Sequence, residues 1–210
     1  MERDVILHKV RTALGRSAGQ EPTLPPPARV VIPEAAAEDR VKSFCAALEA
    51  LAGTALQASS KEEARDYVAS LVAGKTAVAS NAPFLAECGV TGLAEVRSGI
   101  NGREELRELC ATADFGITSA EYALADTGTL VMLSSPQEAR MVSLLPPVHI
   151  ALLRRERILT GLDELLSLIP LPAERTSSMV LITGPSRTAD IEQILIRGVH
   201  GPGQIHVILV

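Results

Sequence analysis

Ile205-His-Val-Ile-Leu-Val210 and Met179-Val-Leu-Ile182 are the stretches on which the fold turns. Short, nearly unbroken apolar runs are what β-strands covered on both faces look like, and strands of that kind form parallel sheets with helices on either side. Working outward from them, Ile191–Arg197 reads as a helix between the two runs, with Asp190 at its start, and Leu162–Leu168 as the helix before them. Upstream, His149–Leu153, Thr129–Leu133, Ala113–Thr118, Ala94–Arg97, Thr76–Ala79 and Thr54–Ala58 read as further strands. Helical spacing lies between several of them, at Arg103–Cys110, at Ala35–Leu51, and from Ser60 to near Gly74, where Ser60-x-x-Glu63 is a capping box. The alternation predicts an α/β domain built on a mostly parallel sheet.

Before that domain, Val5, Ile6, Val10 and Leu14 form an apolar stripe at helical spacing, with Gly15 where the helix would stop. Pro22, Pro25, Pro26 and Pro27 then impose an extended linker. Residues 1–34 are thus expected to be an arm and residues 35–210 the α/β domain. The arm can pack on its own domain, on a second copy of the chain to give a homo-oligomer, or on a different protein.

The 210 residues suit one domain with an appendage, large enough to bury a core without staples. With aromatics at 2% and a net charge of -5, neither a base-stacking platform nor an electrostatic grip on nucleic acid or anionic lipid is expected. Cys45, Cys88 and Cys110 are odd in number and far apart, and His8, His149, His200 and His206 lack metal-ligand spacing. No disulfide, metal or cofactor is expected, and a reducing cytoplasm is the simplest home. No segment approaches 18 uncharged apolar residues, so no membrane span is predicted.

Two phosphate or nucleophile motifs fail on inspection. Gly74-Lys75-Thr76 resembles the end of a P-loop, but Ala69 stands where its first glycine is needed and a strand follows. Gly184-Pro185-Ser186-Arg187-Thr188 has threonine where a nucleophile elbow needs its second glycine. What survives is a set of polar, glycine-containing turns at strand ends, where open parallel sheets bind ligands. The first holds Thr118, Glu121, Asp126, Thr127, Gly128 and Thr129. The second holds Gly184, Pro185, Ser186, Arg187, Thr188 and Asp190, and the third His200 and Gly201. A strand, a glycine turn with Ser186 and Arg187, and a helix opening at Asp190 would make an anion cradle. In the plainer reading Asp190 only caps its helix, Gly128 only turns the chain, His200 is a polar loop residue, and Arg187 pairs with Asp126 or Glu121.

Taken in order, Gly116-Ile-Thr118, Ala120-Glu121, Ala125-Asp126-Thr127-Gly128-Thr129, Arg140, Leu144-Leu145-Pro146 before His149-Ile150, Gly184-Pro-Ser186-Arg187-Thr188-Ala-Asp190-Ile-Glu192 and Gly198-Val-His200-Gly201-Pro202 resemble the LUD-domain family. The resemblance runs from about residue 40 onward. It implies a Rossmann-like α/β domain of the CoA-transferase and sugar-phosphate isomerase type with an added small β-region. It also implies a place in a three-protein system that oxidises L-lactate to pyruvate, in which iron–sulfur sister proteins carry the electrons. This chain, lacking the cysteines, would be the non-redox component, holding a small anionic ligand at the turns. The alternative is a stand-alone enzyme similar to CoA transferases or isomerases, acting on a small carboxylate, acyl-CoA or phosphorylated substrate. There Glu121 would be nucleophile or general base and His200 the proton carrier.

Overall fold

The computed structural model describes residues 3–17, 19–20, 35–189 and 195–210, and divides the chain into two compact units, Met1–Val31 and Ile32–Val210. In the first unit α1 (Arg3–Ala13) is the expected amphipathic helix. The second unit runs α2 (Ala37–Ala50), β1 (Thr54–Gln57), α3 (Lys61–Val72), β2 (Ala77–Ala79), α4 (Pro83–Glu87), β3 (Val96–Arg97), α5 (Arg103–Thr112), β4 (Phe115–Ser119), β5 (Tyr122–Leu124) and β6 (Thr129–Leu133). It continues with α6 (Arg140–Leu144), β7 (Val148–Leu153), β8 (Ile158–Leu159), α7 (Leu162–Leu168), α8 (Pro172–Arg175), β9 (Met179–Thr183), β10 (Arg187–Ala189), β11 (Leu195–Arg197) and β12 (Gln204–Leu209).

Six strands form a sheet in the order β1-β12-β7-β4-β2-β3, and every neighbouring pair is parallel. The period-2 alternation of strand side chains divides its core in two. Ile150, Leu152, Ile117 and Ile208 face α3 and α4, meeting Ala64, Val68, Val72 and Leu85. Ala151, Leu153, Val207 and Leu209 face the other way, against Val41, Phe44 and Leu48 of α2. Phe44 and Leu48 are fully buried, each contributing about 1.5–3 kcal/mol relative to exposure.

A second sheet, β8-β5-β6-β9, lies on that same side. Its inner residues Ala123, Ala125, Leu130 and Met132 join the α2 core, while Tyr122, Leu124 and Val131 pack with Leu165 and Ile169 at α7. On β4, a Cβ at Gly116 would come within 1.9 Å of the Val142 carbonyl oxygen, so only glycine lets α6 lie against the strand.

Three local expectations need correction. Ser60 caps α3 by accepting from the Glu63 N–H at 3.2 Å, but Glu63 reaches back to Ser59, whose N–H donates to it at 2.7 Å. Met179–Thr183 is not covered on both faces: β9 is an antiparallel edge strand with Leu181 42% exposed. Residues 195–197, expected in a helix, form β11, which pairs antiparallel with β10. A short apolar run such as Ile194-Leu-Ile196 suits either period, and hairpin pairing decides it.

Candidate functional site

The C-terminal ends of β2, β4 and β7 open onto a cavity of about 450 Å³, inside the roughly 300–1,000 Å³ range of ligand pockets. This is the edge at which parallel sheets place ligands, because the chain leaves each strand there in a loop free to vary. β2 delivers Ala82, Pro83 and Phe84, β4 delivers Ser119, Ala120 and Glu121, and β7 delivers Arg154 and Arg157. Leu133, Ser134, Ser135, Gln137 and Glu138, after β6, and Arg175 of α8 complete the wall.

Cations outnumber anions here. Arg154 lies over the Phe84 ring, 4.0 Å from its centroid, and bonds Glu87 at 2.7 Å. Arg157 stands 3.5 Å from Glu121 and donates to the Tyr122 hydroxyl at 3.1 Å. Arg175 has no ion-pair partner among the described residues. These contacts hold planar guanidinium groups at a common mouth, an arrangement suited to carboxylate or phosphate oxygens.

Glu138 is the unusual member. It is 9% exposed, and its Oε2 accepts from the Ser80 hydroxyl at 2.8 Å and the Ser119 N–H at 3.1 Å, while Oε1 has no partner. Burial pushes its carboxyl up to about 7, against the downward pull of those two hydrogen bonds. The Ser135 hydroxyl accepts from the Glu138 N–H at 3.0 Å, and Asn81 N–H donates to the Gln137 carbonyl at 2.8 Å, so the loop is tied to the end of β2. Behind the site Thr118 and His149 form a buried pair at 2.7 Å, and burial pushes that imidazole down to about 4, leaving it neutral.

An adjoining cavity of about 400 Å³ shares Ser135 and Gln137 and is walled by Asn81, Asn101, Ile100 and Met141. A third cleft, about 510 Å³, borders the start of α2 and is lined by Glu38, Val41, Gln57 and Arg155.

The turns singled out from the sequence do not share this mouth. Glu121 lines it and Thr118 lies beneath it. The others gather near the opposite edge of the parallel sheet. Gly203 N–H donates to the Pro147 carbonyl just before β7, and Ser186 N–H donates to the Pro202 carbonyl, so His200, Gly201 and Ser186 belong to the N-terminal edge. A strand of six residues, such as β7, separates the two edges by roughly 15–20 Å. His200 is exposed and lines neither cavity.

At that far edge Gly184 abuts the end of α2, where a Cβ on it would lie 2.9 Å from that of Leu51, and Pro185 is buried. Arg187 forms no ion pair with Asp126 or Glu121, and its guanidinium donates instead to the Leu51 carbonyl. Asp126, Thr127, Thr129 and Thr183 form a hydroxyl chain, with Thr127–Thr129 at 2.8 Å and Thr129–Thr183 at 2.9 Å, that joins the β5–β6 turn to β9. Gly128, at φ 64°, turns against α2, with a Cβ there 2.5 Å from the Leu48 nitrogen. Thr188 pairs through its backbone with Ile196, and Asp190 lies outside the described residues. Since residues 195–197 are strand, the cradle expected from a helix over 191–197 is not formed there.

Sequence reasoning missed Glu138, Arg154, Arg157 and Arg175. Arg154 and Arg157 were within reach, because charges directly after the apolar run 148–153 mark the ligand edge of a parallel strand. Glu138 carries no local signal: its burial comes from segments far away in sequence.

The fold and cavity define an α/β protein with an arginine-lined mouth at the C-terminal edge of a parallel sheet. The LUD domain profile matches residues 41–210, and the chain belongs to that family. Lactate utilization protein C of Halalkalibacterium halodurans is 37% identical over 150 residues, covering 67% of this chain and 65% of that protein. Lactate utilization protein C 1 of Bacillus mycoides is 32% identical over 171 residues, covering 75% and 73%. Lactate utilization protein C of Bacillus subtilis is 38% identical over 113 residues, covering 52% and 47%. The matches thus span about half to three quarters of these relatives' lengths. A solved DUF162 family protein from Deinococcus radiodurans has the same fold, with a TM-score of 0.65 over 84% of this chain and 99% of that one, at 18% identity. No described helix is long and apolar enough to cross a membrane, and among the described residues no three His, Cys, Asp or Glu are grouped to hold a metal.

Proposed function

We propose that the chain is a non-redox component of a cytoplasmic lactate-utilisation system and binds a small anionic ligand in the arginine-lined cavity. The observation that carries the binding is the convergence of Arg154, Arg157 and Arg175 on one mouth that also holds Ser119, Ser134 and Glu121. The relatives named for lactate utilisation supply the setting. Electrons from the substrate leave through iron–sulfur partner proteins, and this chain contributes ligand binding and assembly. A bound carboxylate would take two N–H groups from one guanidinium, with Ser119 or Ser134 hydroxyls on its remaining lone pairs.

Calorimetry with L-lactate, pyruvate and inorganic phosphate tests the binding: the Arg157→Ala, Arg175→Ala double variant should weaken it at least tenfold, and unchanged affinity refutes the site. Deleting the gene in a strain with no other lactate-oxidising enzyme tests the setting, since normal growth on L-lactate removes it.

A second reading, a stand-alone enzyme resembling CoA transferases or isomerases, draws on the two carboxyl groups of Glu121 and Glu138 at one cavity. Turnover of a small carboxylate, acyl-CoA or sugar phosphate by the isolated protein would favour it.

A further inference from the structure

We propose that Glu138 is a proton-binding site coupled to the anion site: an anion entering the cavity draws one proton from solvent onto the free oxygen of this buried carboxyl. The proposal rests on the reading of the cavity as an anion site. The geometry leaves Glu138 uncompensated. Oε2 already accepts from Ser80 and Ser119, which uses both of its lone pairs, so the proton of the neutral acid sits on Oε1, the oxygen without a partner. Among the described residues no cation pairs with it.

The charged groups around it are accounted for on each neighbouring element. Arg154 after β7 is committed to Glu87, and Arg157 to Glu121 after β4. Arg175 of α8 faces the same mouth, and Arg140, opening α6, shares with Glu138 a void of only about 10 Å³. His149, beneath Thr118, stays neutral. The arginines serve the mouth and leave the buried carboxyl unpaired, so a second negative charge in the cavity disfavours its ionised form. Burial already brings it to about 7, where a modest extra field changes its fractional protonation near neutral pH. The consequence is a site that takes an anion and a proton together, a neutral combination, and releases both as the pH rises.

The test is titration calorimetry of the full chain with L-lactate, pyruvate and phosphate, in two buffers of different ionisation heat at pH 8 for the proton count and across a series from pH 6 to 9 for the affinity. Uptake of between half and one proton per anion is expected, with affinity falling up to about tenfold per pH unit above 7. Glu138→Gln should bind with no proton uptake and a flat pH profile. Anion binding by the native protein without proton uptake overturns the coupling, even if the variant does not fold. Equal uptake by native protein and variant assigns the proton to another group and also overturns it. If none of the three anions binds the native protein at any pH, the anion-site reading itself fails and the proposal falls with it.

Discussion

Replacing Glu138 by glutamine should change how stability depends on pH, independently of any ligand. Burial raises this carboxyl from its ordinary 4.5 to about 7 in the folded protein. The folded state therefore holds the proton more tightly than the unfolded chain. Stability from this group is fully present below pH 4.5, declines as the unfolded state ionises, and is gone once the pH has passed 7. At about 1.4 kcal/mol for each tenfold change in proton affinity, the loss amounts to about 3 kcal/mol. Glutamine keeps the shape and cannot ionise, so this slope disappears. Urea unfolding of both proteins from pH 4.5 to 8.5 gives the measurement, read as the difference between them at each pH. Every other titrating group is common to both and cancels. The variant should gain about 3 kcal/mol on the native protein between the two ends of the range. A difference that stays constant with pH would show that Glu138 ionises as an exposed carboxyl does, and would remove the physical basis for the proton-coupled site.

Three further outcomes follow from the same geometry. His149 is displaced oppositely, from 6.5 down to about 4, so its contribution is present above pH 6.5 and lost as the pH falls toward 4; His149→Gln should flatten the acid limb of the stability curve by about 3 kcal/mol, seen by urea unfolding. Gly116→Ala places a methyl 1.9 Å from the Val142 carbonyl oxygen, and should cost about 1–3 kcal/mol while weakening anion binding, because α6 and the loop carrying Glu138 must shift together; calorimetry and thermal melting check it. Removing residues 1–34 should leave the α/β unit cooperatively folded with its unfolding midpoint within a few degrees, yet weaken co-purification with partner proteins.

The α/β class was legible because the strands of the parallel sheet advertise themselves. Apart from His149 and His206, Val148–Leu153 and Ile205–Leu209 are apolar on both faces, and both faces are in fact covered. Leu162–Leu168 is the helix its spacing predicts. Met179–Thr183 misled because an apolar run records burial and not sheet identity: β9 covers the α2 core with Val180 and Ile182 while Leu181 faces outward. The site was legible only where it is local. Glu121 was found because it directly follows β4, but the distinctive glycine turns Gly184–Arg187 and Gly198–Gly203 fasten the far edge of the sheet, bonding to each other, to Pro147 and to Leu51. Glu138 acquires its properties from Ser80 and Ser119, and neither contact can be read from the residues flanking it.

β12 lies between β1 and β7, with Thr54 opposite His206 and His206 opposite Ile150. It is also the strand of that sheet synthesised after all the others. Until it emerges from the ribosome, β1 has no partner strand, β7 has an open edge, and the cores under α3 and α2 lack Ile208 and the pair Val207 and Leu209. The pairing of β12 with β1 joins the last and first strands of the sheet in sequence, a separation that favours slow closure. A chain lacking β12 leaves the facing edges of β1 and β7 unpaired, and unpaired edges of this kind favour aggregation.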